Sequence, residues 1–186
     1  MEDRIEQRIA IRSTQDKVWQ LVARPGWWLP GSDTEPARAQ GRLSVEYGGD
    51  ARPYVIDVIR VEPQGYVSFR WASAFGGAVP APGNATLVEF YVRPLGEEID
   101  VTVVESGFSS LDLPEALRED EWKGNAGAWQ YELSGLRGRA EQSALCSPTP
   151  AWCSLIPAGC SPRSPIPAGA SCSSCSRARR ACARAP

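Results

Sequence analysis

Residues capable of acid–base or nucleophilic chemistry are few in this sequence. It contains no histidine, which excludes the usual general base near neutral pH and the Ser-His-Asp and Cys-His catalytic arrangements. All six cysteines lie at or after Cys146. Gly76 and Gly77 are not followed by the Lys-Ser pair or helix start of a phosphate-binding loop. Carboxylates therefore remain as the candidate catalytic groups.

Two carboxylates, Asp57 and Glu105, stand in otherwise apolar segments that are predicted to be strands. A carboxyl group removed from water has a raised pKa and suits the proton transfer of a cyclase or isomerase. Strand alternation can equally direct both side chains to solvent, and this is favoured because carboxylates are rarely buried without partners. Asp57 and Glu105 are thus weak catalytic candidates. We expect no metal and no cofactor.

The N-terminal segments that must position these groups alternate between apolar and polar residues. Residues 4–11 are predicted to form a half-buried strand, and Ser13 and Thr14 can cap a short helix that Pro25 and Gly26 end. Five further predicted strands, rich in β-branched and aromatic residues, span residues 42–47, 54–61, 66–71, 85–93 and 98–105. Residues 62–65 predict a type I turn, so the sheet should be antiparallel.

A long helix is predicted after Pro114. Its apolar stripe has spacings of 4, 3, 4 and 3 and comprises Trp122, Ala126, Trp129, Leu133 and Leu136. Four charged residues fall away from that stripe and are predicted to face water: Glu121, Lys123, Glu132 and Arg137. The predicted fold class is therefore α+β, with a curved antiparallel sheet of about six strands wrapped on a long C-terminal helix and one or two short helices after the first strand.

This order of elements resembles the helix-grip (SRPBCC) superfamily, which includes START lipid-binding domains, the birch-pollen allergen and polyketide cyclases. Within it, residues 1 to about 140 are most similar to the activator of heat-shock protein 90 ATPase homologue-like family. The resemblance rests on residues 18–21, Trp27 and Trp28, residues 67–71, 86–90 and 106–108, and the Trp122 to Leu136 stripe. It implies a domain over residues 1–142 with a cavity between sheet and helix.

The candidate ligand-binding residues are mostly aromatic. They are Trp27, Trp28, Ile56, Phe69, Trp71, Phe90, Phe108, Trp122 and Trp129. Large aromatic side chains either line a pocket or fill a core, and residue types alone do not separate the two. In particular, Trp27 and Trp28 either plug the end of the core or gate a ligand. The resemblance favours a cavity.

Three functions remain open. Non-catalytic binding of a small hydrophobic molecule is favoured and requires a cavity of at least ~300 Å³. A polyketide-cyclase-like enzyme requires a carboxyl group with a raised pKa in the cavity wall. A chaperone-associated interaction module requires a filled core and a large exposed apolar patch. If the chain has a protein partner, we expect either a second copy of itself, forming a homodimer, or a chaperone.

Charge is divided sharply along the chain. All 22 acidic residues and 15 of the 20 basic residues precede Ser143, so residues 1–142 carry a net charge of −7. This charge disfavours nucleic acid and anionic lipid as partners. The start of the sequence lacks the apolar run of a signal peptide, and no stretch approaches the ~20 apolar residues of a membrane span. A cytoplasmic location is expected.

Residues 143–186 form a low-complexity tail in which Ala, Ser, Pro, Cys, Arg and Gly supply 38 of 44 residues. This composition cannot build a core and predicts disorder. Cys172 and Cys175 have a C-x-x-C spacing, but zinc or redox chemistry is disfavoured because that pair neither follows a predicted strand nor opens a predicted helix. The residue types also match GC-rich codons, so the tail could be a frameshift product.

Overall fold

The computed structural model describes residues 2–46 and 53–142, in which six strands and two α-helices are found. The strands are β1 (Arg4–Ile11), β2 (Gly41–Val45), β3 (Tyr54–Glu62), β4 (Tyr66–Trp71), β5 (Thr86–Leu95) and β6 (Glu98–Ser106). The helices are α1 (Gln15–Val22) and α2 (Glu115–Gln142), with a 3-10 turn at Phe108–Ser110. The predicted α+β class is confirmed. The predicted tail, residues 143–186, lies outside the described residues.

All strands join one antiparallel sheet in the order β1-β6-β5-β4-β3-β2. The register aligns one row of inward-facing residues across five strands. That row is Ile5, Glu105, Val88, Phe69 and Val58. Because successive side chains of a strand point to opposite faces, this register decides which residues meet beneath α2.

The β3–β4 turn differs from the predicted type I geometry. The Gly65 N–H donates to the Glu62 carbonyl oxygen over 3.1 Å, but Gln64 has a φ of 69°. A positive φ at the third position defines a type II turn, which usually requires glycine there. Two contacts with the start of α1 hold Gln64: its carbonyl accepts from Gln15, and its amide donates to Asp16. This tertiary support, which the local sequence does not reveal, overrides the local preference.

The end of α1 directs two tryptophans into the core. Thr14 caps the helix, as predicted, by accepting a hydrogen bond from the Lys17 N–H. Gly26 then has a φ of +72°, and a Cβ atom there would lie 3.0 Å from Ile56 Cδ1. Only glycine fits both the conformation and the space. The chain therefore turns at Gly26 and brings Trp27 and Trp28 under the sheet, where each is about 5% exposed or less.

Two hydrogen bonds hold helix α2 against β1 and the residues that follow it. Gln7 Nε2 donates to the Ala126 carbonyl oxygen over 2.6 Å, and Ser13 Oγ donates to the Ala140 carbonyl oxygen over 3.2 Å. The predicted stripe is buried at Trp129, Leu133 and Leu136, whereas Trp122 and Ala126 are only half buried. The C-terminal two thirds of the helix therefore pack against the inner face of the sheet.

Candidate ligand-binding cleft

The centre of the domain is filled by aromatic side chains. Neighbouring ring centroids in this aromatic cluster lie between 5.4 and 6.5 Å apart. Its members are Trp27, Trp28, Phe69, Trp71, Phe90 and Trp129. Such tilted and edge-on pairs are the favoured geometries of aromatic packing. The middle of the sheet is therefore solid, and open volume lies beside the cluster instead.

Glu105 lies beneath this cluster with an exposed fraction of 0%. Its Oε1 accepts from Trp71 Nε1 over 3.1 Å and from Thr86 Oγ1 over 2.6 Å. Its Oε2 accepts from Trp129 Nε1 over 2.6 Å, while Asn125 Nδ2 lies 3.1 and 3.2 Å from the two oxygens. None of the four donors carries a charge. The carboxyl group thus connects β4, β5, β6 and α2 through neutral hydrogen bonds.

Burial raises the pKa of Glu105, and the four donors limit that rise. Loss of hydration disfavours the charged carboxylate, whereas hydrogen bonds to its oxygens favour it. The Thr86 hydroxyl can either donate to Oε1 or accept from it, because a hydroxyl does both, whereas an indole N–H only donates. The site can therefore accommodate a protonated Glu105 if the Thr86 hydroxyl rotates.

A cleft of about 320 Å³ opens beside the cluster, between α2 and the segment that follows α1. We call it the tryptophan cleft. Its apolar wall is formed by Trp28, Leu29, Pro30, Tyr54, Trp71 and Trp129. Its remaining lining residues are Ser73, Glu121, Asn125, Ala128 and Glu132. Three of the lining residues, Trp71, Asn125 and Trp129, also donate to Glu105. The buried carboxyl group therefore holds part of the cleft wall in position from the core side.

Two acidic residues of α2 belong to this wall, contrary to the prediction that they face water. Glu121 and Glu132 are both half buried, and partial desolvation raises the pKa of each. The apolar stripe of α2 predicted only which side of the helix packs against the sheet. It could not indicate that the segment after α1 rises beside the helix and covers the residues next to the stripe.

The nine predicted ligand-binding residues fall into three groups. Trp28, Trp71 and Trp129 line the tryptophan cleft, and Trp27 lines an adjacent groove that shares Trp28 and Glu132 with it. Four others are fully buried with 0% exposure and line none of these openings: Ile56, Phe69, Phe90 and Phe108. Trp122 lies apart, in a groove against β1, where its Nε1 donates to the Arg4 carbonyl oxygen.

The two candidate catalytic carboxylates occupy opposite faces of the sheet. Asp57 lies on the outer face, where both its oxygens accept from Arg42 over 2.6 and 2.8 Å. The expected outward orientation is correct for Asp57 and wrong for Glu105. The reason is that β6 pairs on both sides, and its register with β1 and β5 turns Glu105 toward α2.

Several cleft residues were not predicted from the sequence. Tyr54 begins β3, Ser73 lies two residues after β4, and Asn125 lies on α2 one residue before the half-buried stripe position 126. An asparagine four residues before Trp129 and four after Glu121 was the available signal, since these positions share one helix face. Tyr54 also packs against Trp71, with ring centroids 5.9 Å apart.

Trp27 and Trp28 share an unusual property. The Nε1 atom of each is buried and has no hydrogen-bond acceptor in the part of the chain that the structure describes. A buried donor without a partner costs about 1–3 kcal/mol. Trp27 is also stacked by the Arg139 guanidinium, 5.3 Å from the ring centroid. The two indoles therefore contribute through their rings and not through hydrogen bonds of their N–H groups.

The described residues contain no group of three or more His, Cys, Asp or Glu side chains arranged to hold a metal ion. Neither α1 nor α2, the helices within residues 2–46 and 53–142, is both long and apolar enough to cross a membrane.

Comparison with solved structures identifies the fold. The Mesorhizobium loti protein MLL2253 has a TM-score of 0.55 at 19% identity, with 75% of this chain and 97% of that chain covered. The Aha1 dimer from Colwellia psychrerythraea has a TM-score of 0.54 at 15% identity, covering 74% and 96% of the two chains. DynU16, from the dynemicin biosynthetic locus, has a TM-score of 0.55 at 22% identity, covering 77% of this chain but 49% of DynU16.

Neither the models of protein families nor the curated proteins give a match to this sequence. A curved six-stranded antiparallel sheet closed by one long C-terminal helix defines the helix-grip class of α+β proteins, and this chain has that fold. Within that class, the fold is similar to those of MLL2253, DynU16 and the Aha1 protein of the dimer.

Proposed function

We propose that this protein binds a small, largely apolar molecule reversibly in the tryptophan cleft, without changing it chemically. The observation that carries the proposal is the cleft itself, about 320 Å³ in volume and walled by Trp28, Trp71 and Trp129. Small-molecule sites are typically concave, mostly apolar and aromatic, and supplied with few polar groups. Asn125 and Ser73 would provide those polar groups here.

The burial of Glu105 favours binding over catalysis. A general acid or base must come within about 2.6–3.2 Å of the proton it transfers. Glu105 is fully buried, and four donors already occupy its two oxygens. It is better suited to holding the indoles of Trp71 and Trp129 in place. A cyclase-like enzyme remains the second candidate because burial raises the pKa of this carboxyl group beside the cleft.

The distribution of exposed apolar residues also favours a small ligand over a protein-interaction surface. Among the described residues, the large hydrophobic side chains with high exposure are Val79, Leu95, Leu117 and Tyr131. They lie in a loop, at the end of β5 and at two positions of α2 fourteen residues apart. An interaction module would be expected to gather such residues into one patch. A chaperone contact and a homodimer stay predictions.

A direct test fills the cleft without disturbing the core. Ala128 is exposed and lines the cleft, so Ala128→Phe should occupy it. Ala116 is exposed on the same helix away from the cleft, and Ala116→Phe is the matched control. Binding of the neutral fluorescent probe N-phenyl-1-naphthylamine to the full chain would be titrated.

We expect one probe per chain for the wild type and for Ala116→Phe. Affinity should fall at least about tenfold, or roughly 1.4 kcal/mol, in Ala128→Phe. Thermal unfolding followed by circular dichroism would establish that both variants are folded. Equal affinity of the two variants, or no binding by the wild type, would refute the proposal.

A further inference from the structure

The charged residues in the wall of the tryptophan cleft are both acidic. Glu121 and Glu132 lie on α2, on either side of Asn125 and Trp129, and neither an arginine nor a lysine of residues 2–46 and 53–142 contributes to that wall. Residues 121, 125, 128 and 132 recur at spacings of 4, 3 and 4, so they share one face of the helix. The cleft thus combines an aromatic wall with an acidic edge.

The two carboxylates differ in their electrostatic surroundings. Glu132 is attracted by the positive charge of Arg139, which stacks on Trp27. Glu121 is partly desolvated, and no charged group in the described part of the chain compensates for that loss. Within the described residues, Glu121 forms no ion pair, and the lysine nearest in sequence, Lys123, pairs with Glu119 over 2.8 Å. Glu121 is therefore the carboxylate in the cleft wall that lacks a cation.

We propose that the ligand of this cleft carries a protonated amine on an apolar body, with the ammonium group beside Glu121 and the body against the indoles of Trp71 and Trp129. The proposal rests on the function proposed above and specifies the chemical class of the ligand. An ammonium group supplies the charge that Glu121 lacks, and it donates hydrogen bonds that a carboxylate accepts.

The aromatic wall adds to the preference for a cation. The faces of indole rings carry partial negative charge and attract ammonium groups within about 6 Å. Residues 1–142 also carry a net charge of −7, which raises the local concentration of cations and repels anions. An anionic ligand of the same shape would meet Glu121 and Glu132 unfavourably. Charge and shape therefore select the same class of ligand.

Three naphthalene compounds of similar shape would test this proposal: 1-naphthylmethylamine, 1-naphthalenemethanol and 1-naphthoate. Their binding to the full chain would be measured by isothermal titration calorimetry at low salt. We expect the amine to bind about fivefold more tightly than the alcohol, as for a partly exposed ion pair, and the carboxylate to bind least. The preference should weaken as salt is added, because Glu121 is only half buried.

Variants of the two carboxylates locate the preference. Glu121→Gln should bind the amine and the alcohol equally, whereas Glu132→Gln should keep the preference because Arg139 already compensates for Glu132. Unchanged preference in Glu121→Gln would overturn the assignment. Equal binding of amine and alcohol by the wild type, abolished by Ala128→Phe, would overturn the amine proposal and leave the cleft as a binding site. Failure of all three compounds to bind would overturn both.

Discussion

The carboxyl groups on the two faces of the sheet have different kinds of partner. On the outer face, Asp57 is paired with the charged guanidinium of Arg42, and Asp100 is likewise paired with Arg8. On the inner face, Glu105 is surrounded by neutral donors and fully buried. A countercharge stabilises the ionised form of the two outer carboxylates, whereas Glu105 depends on neutral hydrogen bonds. The inner carboxylate thus links four elements within the core, and the outer ones form ion pairs with largely exposed arginines.

Two tyrosines, Tyr66 and Tyr91, lie on the outer face, whereas the tryptophans of the aromatic cluster lie on the inner side. The hydroxyl groups of Tyr66 and Tyr91 both donate to Glu89, over 2.7 and 3.2 Å. Partial burial and the nearby Glu89 carboxylate raise the pKa of Tyr66 to about 12. On this face polar tips remain near water, whereas the indole N–H groups of Trp71 and Trp129 turn inward to Glu105.

Replacing Glu105 and Asp57 separately is the strongest test of the difference between the two faces. Glu105→Ala leaves the indole N–H groups of Trp71 and Trp129 without an acceptor and should lower the free energy of unfolding by about 4 kcal/mol. Asp57→Ala removes an ion pair with an exposed arginine. Its free energy of unfolding should therefore decrease much less, and the decrease should become smaller still as salt is added. Urea unfolding of both variants measures this. Similar losses at 105 and 57 would contradict the distinction.

A matched pair of tryptophan substitutions tests the role of the buried hydrogen bonds. Trp129 and Trp28 are both buried in the aromatic cluster, but of the two only Trp129 Nε1 has an acceptor among the described residues. Replacement by phenylalanine removes a similar volume from each site. Trp129→Phe should therefore cost about 2 kcal/mol more than Trp28→Phe, which is the contribution of a hydrogen bond to a carboxylate. Equal costs in urea unfolding would assign both indoles to packing alone.

The smallest expected effect is a dependence of stability on pH. Because burial raises the folded-state pKa of Glu105 above its ordinary value of 4.5, the folded protein holds this proton more tightly than the unfolded chain. The stabilisation is complete below the unfolded pKa and is lost as pH rises through the folded pKa. The difference in unfolding free energy between the wild type and Glu105→Gln should therefore fall with rising pH.

Unfolding in urea at several values between about pH 4 and about pH 8 checks this sign. Comparison with the glutamine variant removes the contribution of the other acidic residues, which both proteins share. An increase of the difference with pH would show that the four donors outweigh desolvation and lower the pKa of Glu105 instead.

Much of the fold could be predicted because it follows from local periodicity. The alternation of apolar residues in β1, β3, β4, β5 and β6, and the spacing from Trp129 to Leu136, are visible in the sequence and match the observed elements. The Gln64 turn is an exception, since contacts with Gln15 and Asp16 support its positive φ. Those contacts join residues about fifty positions apart, so no local pattern indicates them.

The candidate site could be predicted only in part. The sequence indicated that Trp28, Trp71 and Trp129 lie near one another, since aromatics on the inner face of the sheet and on the helix stripe must meet. It did not indicate that Phe69 and Phe90 fill the centre while Tyr54, Asn125 and Glu121 border an opening. That division depends on the exact volumes of side chains from four separate segments, and a pattern of residue types does not contain it.

By itself, the sequence determined the order of strands and helices, the apolar stripe of α2 and the exclusion of histidine chemistry. These depend on residue type and on spacings within one segment. The tertiary structure alone decided that Glu105 is buried while Asp57 is paired at the surface, because strand alternation permits either face until register is fixed by neighbours. It also decided that Glu121 borders a cleft, since that requires the segment after Gly26 to lie against α2.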